Sequence, residues 1–339
     1  AAFMQSGSDY NTISLSTMIS IGTAYSALHF TDSDSNTVTQ SYLQNLNGYG
    51  AYINTGSDRN TISQSTMISN SSSYYALYLL GADSNTITGS YLSNGAGNAA
   101  VLNTGSDWNA ISLSTMISAG AGAAGVYVAA ASSNTISESY MQDINGYGAY
   151  LTSSLYTNFT QCTMISKSAT YRALSLLGAD FNTISDAYIS NTLGNAAYFD
   201  TGSDRNAVMS STMISNGTNL YALTIVNSSS NTIVDSYVQG STAAYITGST
   251  GTVIGGSVLV ATNTTGGALT LTAGSVNLTL SSSVLLGGTS GYAVYLNIGR
   301  NGQFNLSTNT IRGGRAGIYV VYGSTILGAV TQVWVTSNT

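Results

Sequence analysis

Few side chains in this 339-residue chain could do chemistry: it has one histidine, one cysteine, 13 acidic and 7 basic residues. His29 is the only imidazole available as a general base or metal ligand. It sits in an outward strand slot shared with tyrosines, so it reads as a surface substitution. Cys162 stands where sister copies of a repeated phrase carry serine, which makes it a buried stand-in rather than a nucleophile. Asp9, Asp34, Asp58, Asp83 and Asp107 recur at 24 or 25 residues, and Asp180 and Asp204 repeat the step. Carboxylates one strand spacing apart repel unless hydrogen-bonded or bridged by a cation such as calcium. Each one precedes a turn, where aspartate bonds local backbone, and no Gly-Gly-x-Gly-x-Asp calcium signature is present. Turn aspartates are therefore expected, with no metal and no cofactor.

The elements that place these residues are repeats. The phrase SDYNTISLSTMIS at Ser8 returns from Ser57, Ser106 and Ser203, with a damaged copy from Ser153. Its asparagine falls at Asn11, Asn36, Asn60, Asn85, Asn109 and Asn134, then at Asn182, Asn206 and Asn231, with Thr157 in the missing slot. Two residues on, Ile13, Val38, Ile62, Ile87, Ile111, Ile136 and Phe159 line up, and seven on, Met18, Leu43, Met67, Leu92, Met116 and Met141. Five on, Ser16, Ser41, Ser65, Ser90, Ser114 and Ser139 form a column restricted to small side chains. Short alternating runs between Gly, Asn, Ser and Asp are strand signals, and no helical period is present. YLQNLNGYGAYI from Tyr42 reappears as YMQDINGYGAYL from Tyr140, so pairs of coils, and then quartets, were duplicated. The asparagines read as a turn ladder bonding the coils above and below.

Composition agrees. Charged residues are 6%, against roughly 25% in an average protein. Proline, which would remove ladder donors, is absent. Net charge is −6 and no basic groove is visible, so nucleic acid is excluded as a partner. No apolar run is long enough to span a membrane. Seven N-x-S/T sequons, at Asn70, Asn158, Asn216, Asn227, Asn263, Asn277 and Asn305, permit glycosylation without predicting it.

On these columns and NTIS-like phrases the chain resembles the parallel β-helix repeat superfamily of pectate lyases, autotransporter passengers and NosD-type repeats. That resemblance implies a right-handed helix and no particular activity. The expected fold is all-β, a single right-handed parallel β-helix of roughly 13–14 coils. Residues 1–251 form the regular coils with a two-coil super-repeat, and 252–339 form a degenerate continuation. A lyase of this kind would need clustered Asp or Glu near an Arg or Lys base. The basic cluster Arg300, Arg312 and Arg315 follows the last acidic residue, Asp235, and no convergent constellation is visible, so catalysis is not expected.

Function is then expected in the outward columns. Tyr52, Tyr78, Tyr127, Tyr150, Tyr198 and Tyr245 share one slot with His29, and Tyr295 and Tyr319 continue it. Two readings stand side by side: stacking that stiffens the sheet, or a binding face for lateral contacts, with glycans as a further ligand. A second column holds Tyr42, Tyr91, Tyr140, Tyr188 and Tyr237, beside Ile19, Ile68 and Ile117 on neighbouring coils. Interrupted Thr-x-Thr positions, as at Thr37 and Thr39, favour strand propensity over ice binding. The chain starts in mid-coil and TQVWVTSNT still reads as strand, which suggests a segment of a longer helix or head-to-tail self-association. The resulting expectation is a non-enzymatic, extracellular or cell-surface structural protein, a fibre, sheath or stalk subunit whose partners are copies of itself. A carbohydrate-binding adhesin using the tyrosines is the second reading.

Overall fold

The computed structural model describes residues 1–272, 274–298, 302–322 and 332–339. Arg300, one of the three clustered arginines, lies outside the described residues. The fold is an all-β parallel solenoid of about 13 turns on three sheets, with no helix among the described residues. The chain divides into two compact units, Ala1–Leu174 and Ser175–Thr339.

In the first unit one sheet runs Ala2–Gln5, Ser26–Thr31, Tyr49–Ile53, Leu77–Leu80, Ala100–Asn103, Ala124–Ala129 and Tyr147–Thr152. The second sheet puts Ile13, Val38, Ile62, Ile87, Ile111, Ile136 and Phe159 in direct register. The third does the same for Met18, Leu43, Met67, Leu92, Met116, Met141 and Met164. From Val38 and Met18 onward these columns are buried. Each such side chain contributes about 1.5–3 kcal/mol by leaving water. On the first sheet Leu28, Ala51, Leu77, Ala100, Val126 and Ala149 share a column, so a large residue faces a small one on the next coil. That interdigitation is the packing reason for the two-coil rhythm. In the second unit Ile184, Val208, Ile233, Ile254 and Leu280 continue the same logic. Strands beyond Thr252 pair as regularly as those before it within this unit, for example Tyr292–Ile298 with Ala316–Tyr322.

Corners between strands are made by single residues in the left-handed region. Tyr10, Ser35, Arg59, Ser84, Trp108, Ser133 and Tyr156, each one before the asparagine slot, have φ of 55–60°. A second set, Leu15, Gln40, Gln64, Leu113, Glu138 and Gln161, has φ of 48–55°. Such corners throw their side chains outward, which explains why Tyr10, Leu15, Trp108 and Leu113 are exposed. Each costs about 1–2 kcal/mol in a non-glycine residue.

Side-chain ladders offset that cost. Asn36 Oδ1 accepts from Asn11 N at 2.9 Å, Asn60 Oδ1 from Asn36 N at 2.8 Å, and Asn85 Oδ1 from Asn60 N at 2.8 Å. Asn109 and Asn134 extend the ladder, and Asn182, Asn206 and Asn231 form another in the second unit. The serine column is also a ladder and not only a steric restriction: Ser41 Oγ accepts from Ser16 N, and Ser65 Oγ from Ser41 N, onward through Ser139. Cys162 occupies this column, buried, with Sγ 3.3 Å from Ile136 O.

Two outcomes test this arrangement. Asn109→Ala removes the acceptor of Asn85 N and the donor to Ala82 O, both buried contacts. It should destabilise the chain by roughly 3 kcal/mol in urea unfolding, the sum of two orphaned backbone groups. Leu113→Gly, at an exposed corner with φ of 51°, should stabilise by about 1 kcal/mol, while Leu113→Val should destabilise.

Candidate functional site

The regularity of the first sheet builds an aromatic face on the first unit. Phe3, His29, Tyr52, Tyr78, Val101, Tyr127 and Tyr150 fall in one register column. His29 stacks on Tyr52 at 4.7 Å, Tyr52 on Tyr78 at 5.1 Å, and Tyr127 on Tyr150 at 5.2 Å, each within about one strand spacing. The structure therefore stacks four of the tyrosines expected from sequence as two pairs, Tyr52–Tyr78 and Tyr127–Tyr150, with Val101 between them in the column. In the second unit Tyr198, Thr224, Tyr245, Thr270, Tyr295 and Tyr319 share a register column. There threonine separates Tyr198 from Tyr245, and the ring against Tyr245 is Tyr221, at 4.7 Å.

Sequence reading missed Tyr49 and Tyr147. Each lies three residues before a column tyrosine, a spacing that would place it on the opposite face of a regular strand. Here Gly50 and Ala51 are both buried, as are Gly148 and Ala149, so the two flanking tyrosines emerge on the same side. Gly50 approaches Ala76 O so closely that a Cβ would stand 2.6 Å from it, and Gly148 repeats this against Ala173 O. Tyr49 consequently stacks on both Tyr52 (5.0 Å) and Tyr78 (5.4 Å), and Tyr147 on Tyr150 (4.5 Å).

Stacked rings occupy one another's faces and show solvent mainly their edges. Three further tyrosines are turned across the stack. Tyr74 meets Tyr49 at 77°, Tyr75 meets Tyr78 at 74°, and Tyr171 meets Tyr147 at 63°. All three are half-buried and precede a strand of the first sheet. Tyr74 also borders a shallow groove of about 470 Å³ lined by Thr23, Leu46, Asn47, Asn70 and Ala96. A second groove, of about 550 Å³, is lined by Phe3, Tyr25, Ser26, His29 and Tyr52.

The electrostatics are those of a desolvated, nearly uncharged face. Burial, followed by the neighbouring phenols Tyr78, Tyr52, Tyr75 and Tyr74, raises the Tyr49 phenol well above the ordinary tyrosine range. Burial raises Tyr147 too, against the opposing charge of the Arg172 guanidinium. Burial lowers the His29 imidazole below its usual value, which keeps it neutral, and its Nε2 lies 3.0 Å from Thr31 Oγ1. His29 is thus half-buried in a ring stack beside a groove, a more defined setting than the surface substitution expected from sequence. Cys162 keeps its expected role: burial pushes its thiol up to about 11, away from nucleophilic use.

The other sequence candidates resolve differently. Asp9 Oδ1 accepts from Asp34 N at 2.7 Å, Asp34 Oδ1 from Asp58 N at 2.8 Å, and Asp58 Oδ1 from Asp83 N at 2.7 Å. The aspartates cap the backbone of the following coil, in place of the local turn bonding expected. Among the described residues no group of three or more His, Cys, Asp or Glu is placed to hold a metal ion. On the third sheet the register separates Tyr42 and Tyr91 from the isoleucines: the tyrosines alternate with Thr17, Thr66 and Thr115, and Ile19, Ile68 and Ile117 with Gln44, Ser93 and Gln142.

With this geometry in view, the comparisons are specific about architecture. Residues 26–171 match the family model described as right handed beta helix region. No curated protein matches the chain. Among solved structures it is similar to the mannuronan C-5 epimerase AlgE6 A-module of Azotobacter vinelandii, with 11% identity, TM-score 0.56, and 97% of this chain and 90% of that one covered. It is also similar to the periplasmic alginate epimerase AlgG, with 10% identity, TM-score 0.53, and coverage of 90% and 78%. A third is DFA-IIIase from Arthrobacter chlorophenolicus A6 in complex with GF2, with 11% identity, TM-score 0.53, and coverage of 74% and 71%. At such identities the likeness is one of fold.

These findings correct the expectation of a non-enzymatic fibre, sheath or stalk subunit, since the similar structures are named as enzymes: a mannuronan C-5 epimerase, an alginate epimerase and a DFA-IIIase. The physical reason is that a fold of this kind is neutral as to activity, so the lack of an acid–base cluster along the sequence did not exclude an enzyme. The register adds a half-buried His29 stacked on Tyr52 at 4.7 Å between ring centroids. No helix among the described residues is long and apolar enough to cross a membrane.

The raised phenols make an observable prediction. A neutral phenol favoured by the fold stabilises it below the ordinary tyrosine value of about 10, and that contribution is lost as pH climbs through the raised value. Alkaline titration followed at 295 nm should therefore leave a fraction of phenols un-ionised past about pH 11 until unfolding, and Tyr49→Phe should shrink that late fraction.

Proposed function

We propose that this protein is a carbohydrate-active solenoid that holds a neutral glycan chain against the aromatic face of Ala1–Leu174 and transfers a proton through His29. The observation that carries the reading is one contiguous surface: His29, Tyr52, Tyr49 and Tyr74 linked by ring contacts of 4.7–5.0 Å, with an open groove at either end. The apolar C–H face of a sugar lies flat on an aromatic face, and its hydroxyls need amide and hydroxyl partners nearby. Tyr74 offers such a ring face, and Asn47, Asn70 and Ser71 line the groove beside it. A neutral chain suits a protein of net charge −6 better than a polyanion does. His29, uncharged through burial, is a competent proton acceptor at neutral pH. Support also comes from the carbohydrate-acting enzymes of the same fold, one of them named as periplasmic, and we place this protein likewise outside the cytoplasm.

The test is a panel of neutral and uronate polysaccharides, with retention measured by affinity electrophoresis and products by mass spectrometry. Tyr74→Ala should weaken retention of the neutral ligand about tenfold, equivalent to about 1.4 kcal/mol. His29→Gln should retain it normally while lowering turnover at least about 100-fold. Turnover of uronate chains alone, or full activity in His29→Gln, would overturn the proposal.

A further inference from the structure

Asp143 sits in a place built for an amide. It ends the strand Tyr140–Asp143 and is fully buried. The near-identical phrase four coils earlier carries Asn45 at this slot, and Asn94 fills it two coils before Asp143. Both asparagines use the amide in the same way. Asn45 Nδ2 donates to Gly22 O at 3.0 Å and Tyr25 O at 2.8 Å, while its Oδ1 accepts from Asn47 N. Asn94 Nδ2 donates to Ser71 O at 3.0 Å and Tyr74 O at 2.7 Å, while its Oδ1 accepts from Ala96 N.

Half of this pattern survives in Asp143. The carboxyl accepts from Asn145 N at 2.7 Å and from the Gly146 amide. The other half is inverted, because Oδ2 is buried with no hydrogen-bond partner. A Cβ built on Gly146 would collide with Ala123 O and crowd Asp143 Oδ2, just as one on Gly48 would meet Tyr25 O and Asn45 Nδ2. Oδ2 and Ala123 O thus flank Gly146 as Asn45 Nδ2 and its acceptor Tyr25 O flank Gly48, so Oδ2 takes the place of the donating amide nitrogen. An ionised oxygen in that place is buried without a donor, whereas a protonated one supplies one of the two donors that the asparagine amide provides.

We propose that Asp143 folds as the neutral acid, donating Oδ2–H to Ala123 O, and that its ionisation is a proton-operated weak point in this coil. The site matters because the following residues, 144–146, lead directly into Tyr147 of the ring stack, although the inference is independent of any glycan. Flanking residues Ser118 and Ser166 are uncharged. Titratable or charged groups on the surrounding elements are Tyr140 on the same strand, Lys167, whose backbone bonds Asp143 O, and Tyr147, Tyr171 and Arg172. None of these drives the carboxyl's behaviour. Burial raises it from 3.8 to about 6, opposed by the hydrogen bonds from Ser118, Asn145 and Gly146.

A folded-state value raised above the unfolded one favours folding fully below about pH 4, and that advantage is lost as pH rises through about 6. The folding equilibrium should thus fall on the order of 100-fold from this group between about pH 4 and 8. Urea unfolding of wild type and Asp143→Asn across that range reads it: the variant restores the amide donor and should lack this component, being the more stable above about pH 7. Asn45→Asp, in the matching slot, should install a second loss of the same sign and guards against a variant that fails to fold. Carbon-13 carboxyl shifts should place the Asp143 midpoint near 6 in the absence of metal. A midpoint at the ordinary carboxylate value, identical pH profiles for wild type and Asp143→Asn, or a carboxyl shift that follows added calcium rather than protons would each overturn the proposal.

Discussion

The structure depends on how each coil turns its corners. A parallel solenoid of 24 or 25 residues per coil has no room for long loops, so a single left-handed residue makes each sharp bend. That backbone is unfavourable for every residue but glycine, and most of these corners are not glycine. The corner persists because its neighbours have buried N–H groups that only an adjacent coil can satisfy. Short acceptor side chains do this best. Asparagine and serine receive the N–H of the preceding coil, while aspartate receives that of the following one. Ladders of opposite direction leave little freedom in coil spacing.

From this constraint the odd composition follows. Asn, Ser, Thr and Asp are the side chains short enough to reach a backbone group one strand spacing away without filling the core. Proline is excluded because ladder donors are needed on nearly every strand. Long charged residues are confined to corners and edges, as with Arg59, which extends back to Asp34 at 3.1 Å in an exposed ion pair of little energetic weight. The aromatic face inherits its spacing from the same source. Ring centroids at 4.7–5.2 Å between register partners in the first unit follow the strand pairing.

What could be read in advance was whatever repeats with constant chemistry. The Asn11, Ile13 and Met18 columns were legible because each coil presents the same residue type to the same environment, and register then follows. The serine column was legible in position but not in mechanism, since small size and hydroxyl acceptance leave the same trace in a sequence. Tyr49 and Tyr147 were not legible, because two consecutive buried residues break the alternation from which facing is deduced. Ring orientation was out of reach as well: whether Tyr74 lies in the stack or across it depends on the loop that precedes its strand. Activity was not legible at all, since a fold of this kind is compatible with many functions and the columns record packing rather than chemistry.

Asp143 shows how such a repeat carries specific information. In a set of aligned slots the environment is nearly constant, so exchanging an amide for a carboxyl isolates one chemical difference, a lost donor. Asn45 and Asn94 define what the pocket asks for, N–H donation to two carbonyls, and Asp143 can supply one of those two donors only with a proton attached. The same comparison explains why the substitution is tolerated at all. The carbonyl side of the slot accepts from any donor, and the amide side, Asn145 N–H and Gly146 N–H, donates to an amide or a carboxyl oxygen alike. Departures from the columns are therefore where a solenoid of this kind carries information that the repeat itself does not: tyrosines turned across the stack, and an inward residue that changes a ladder's chemistry while keeping its shape.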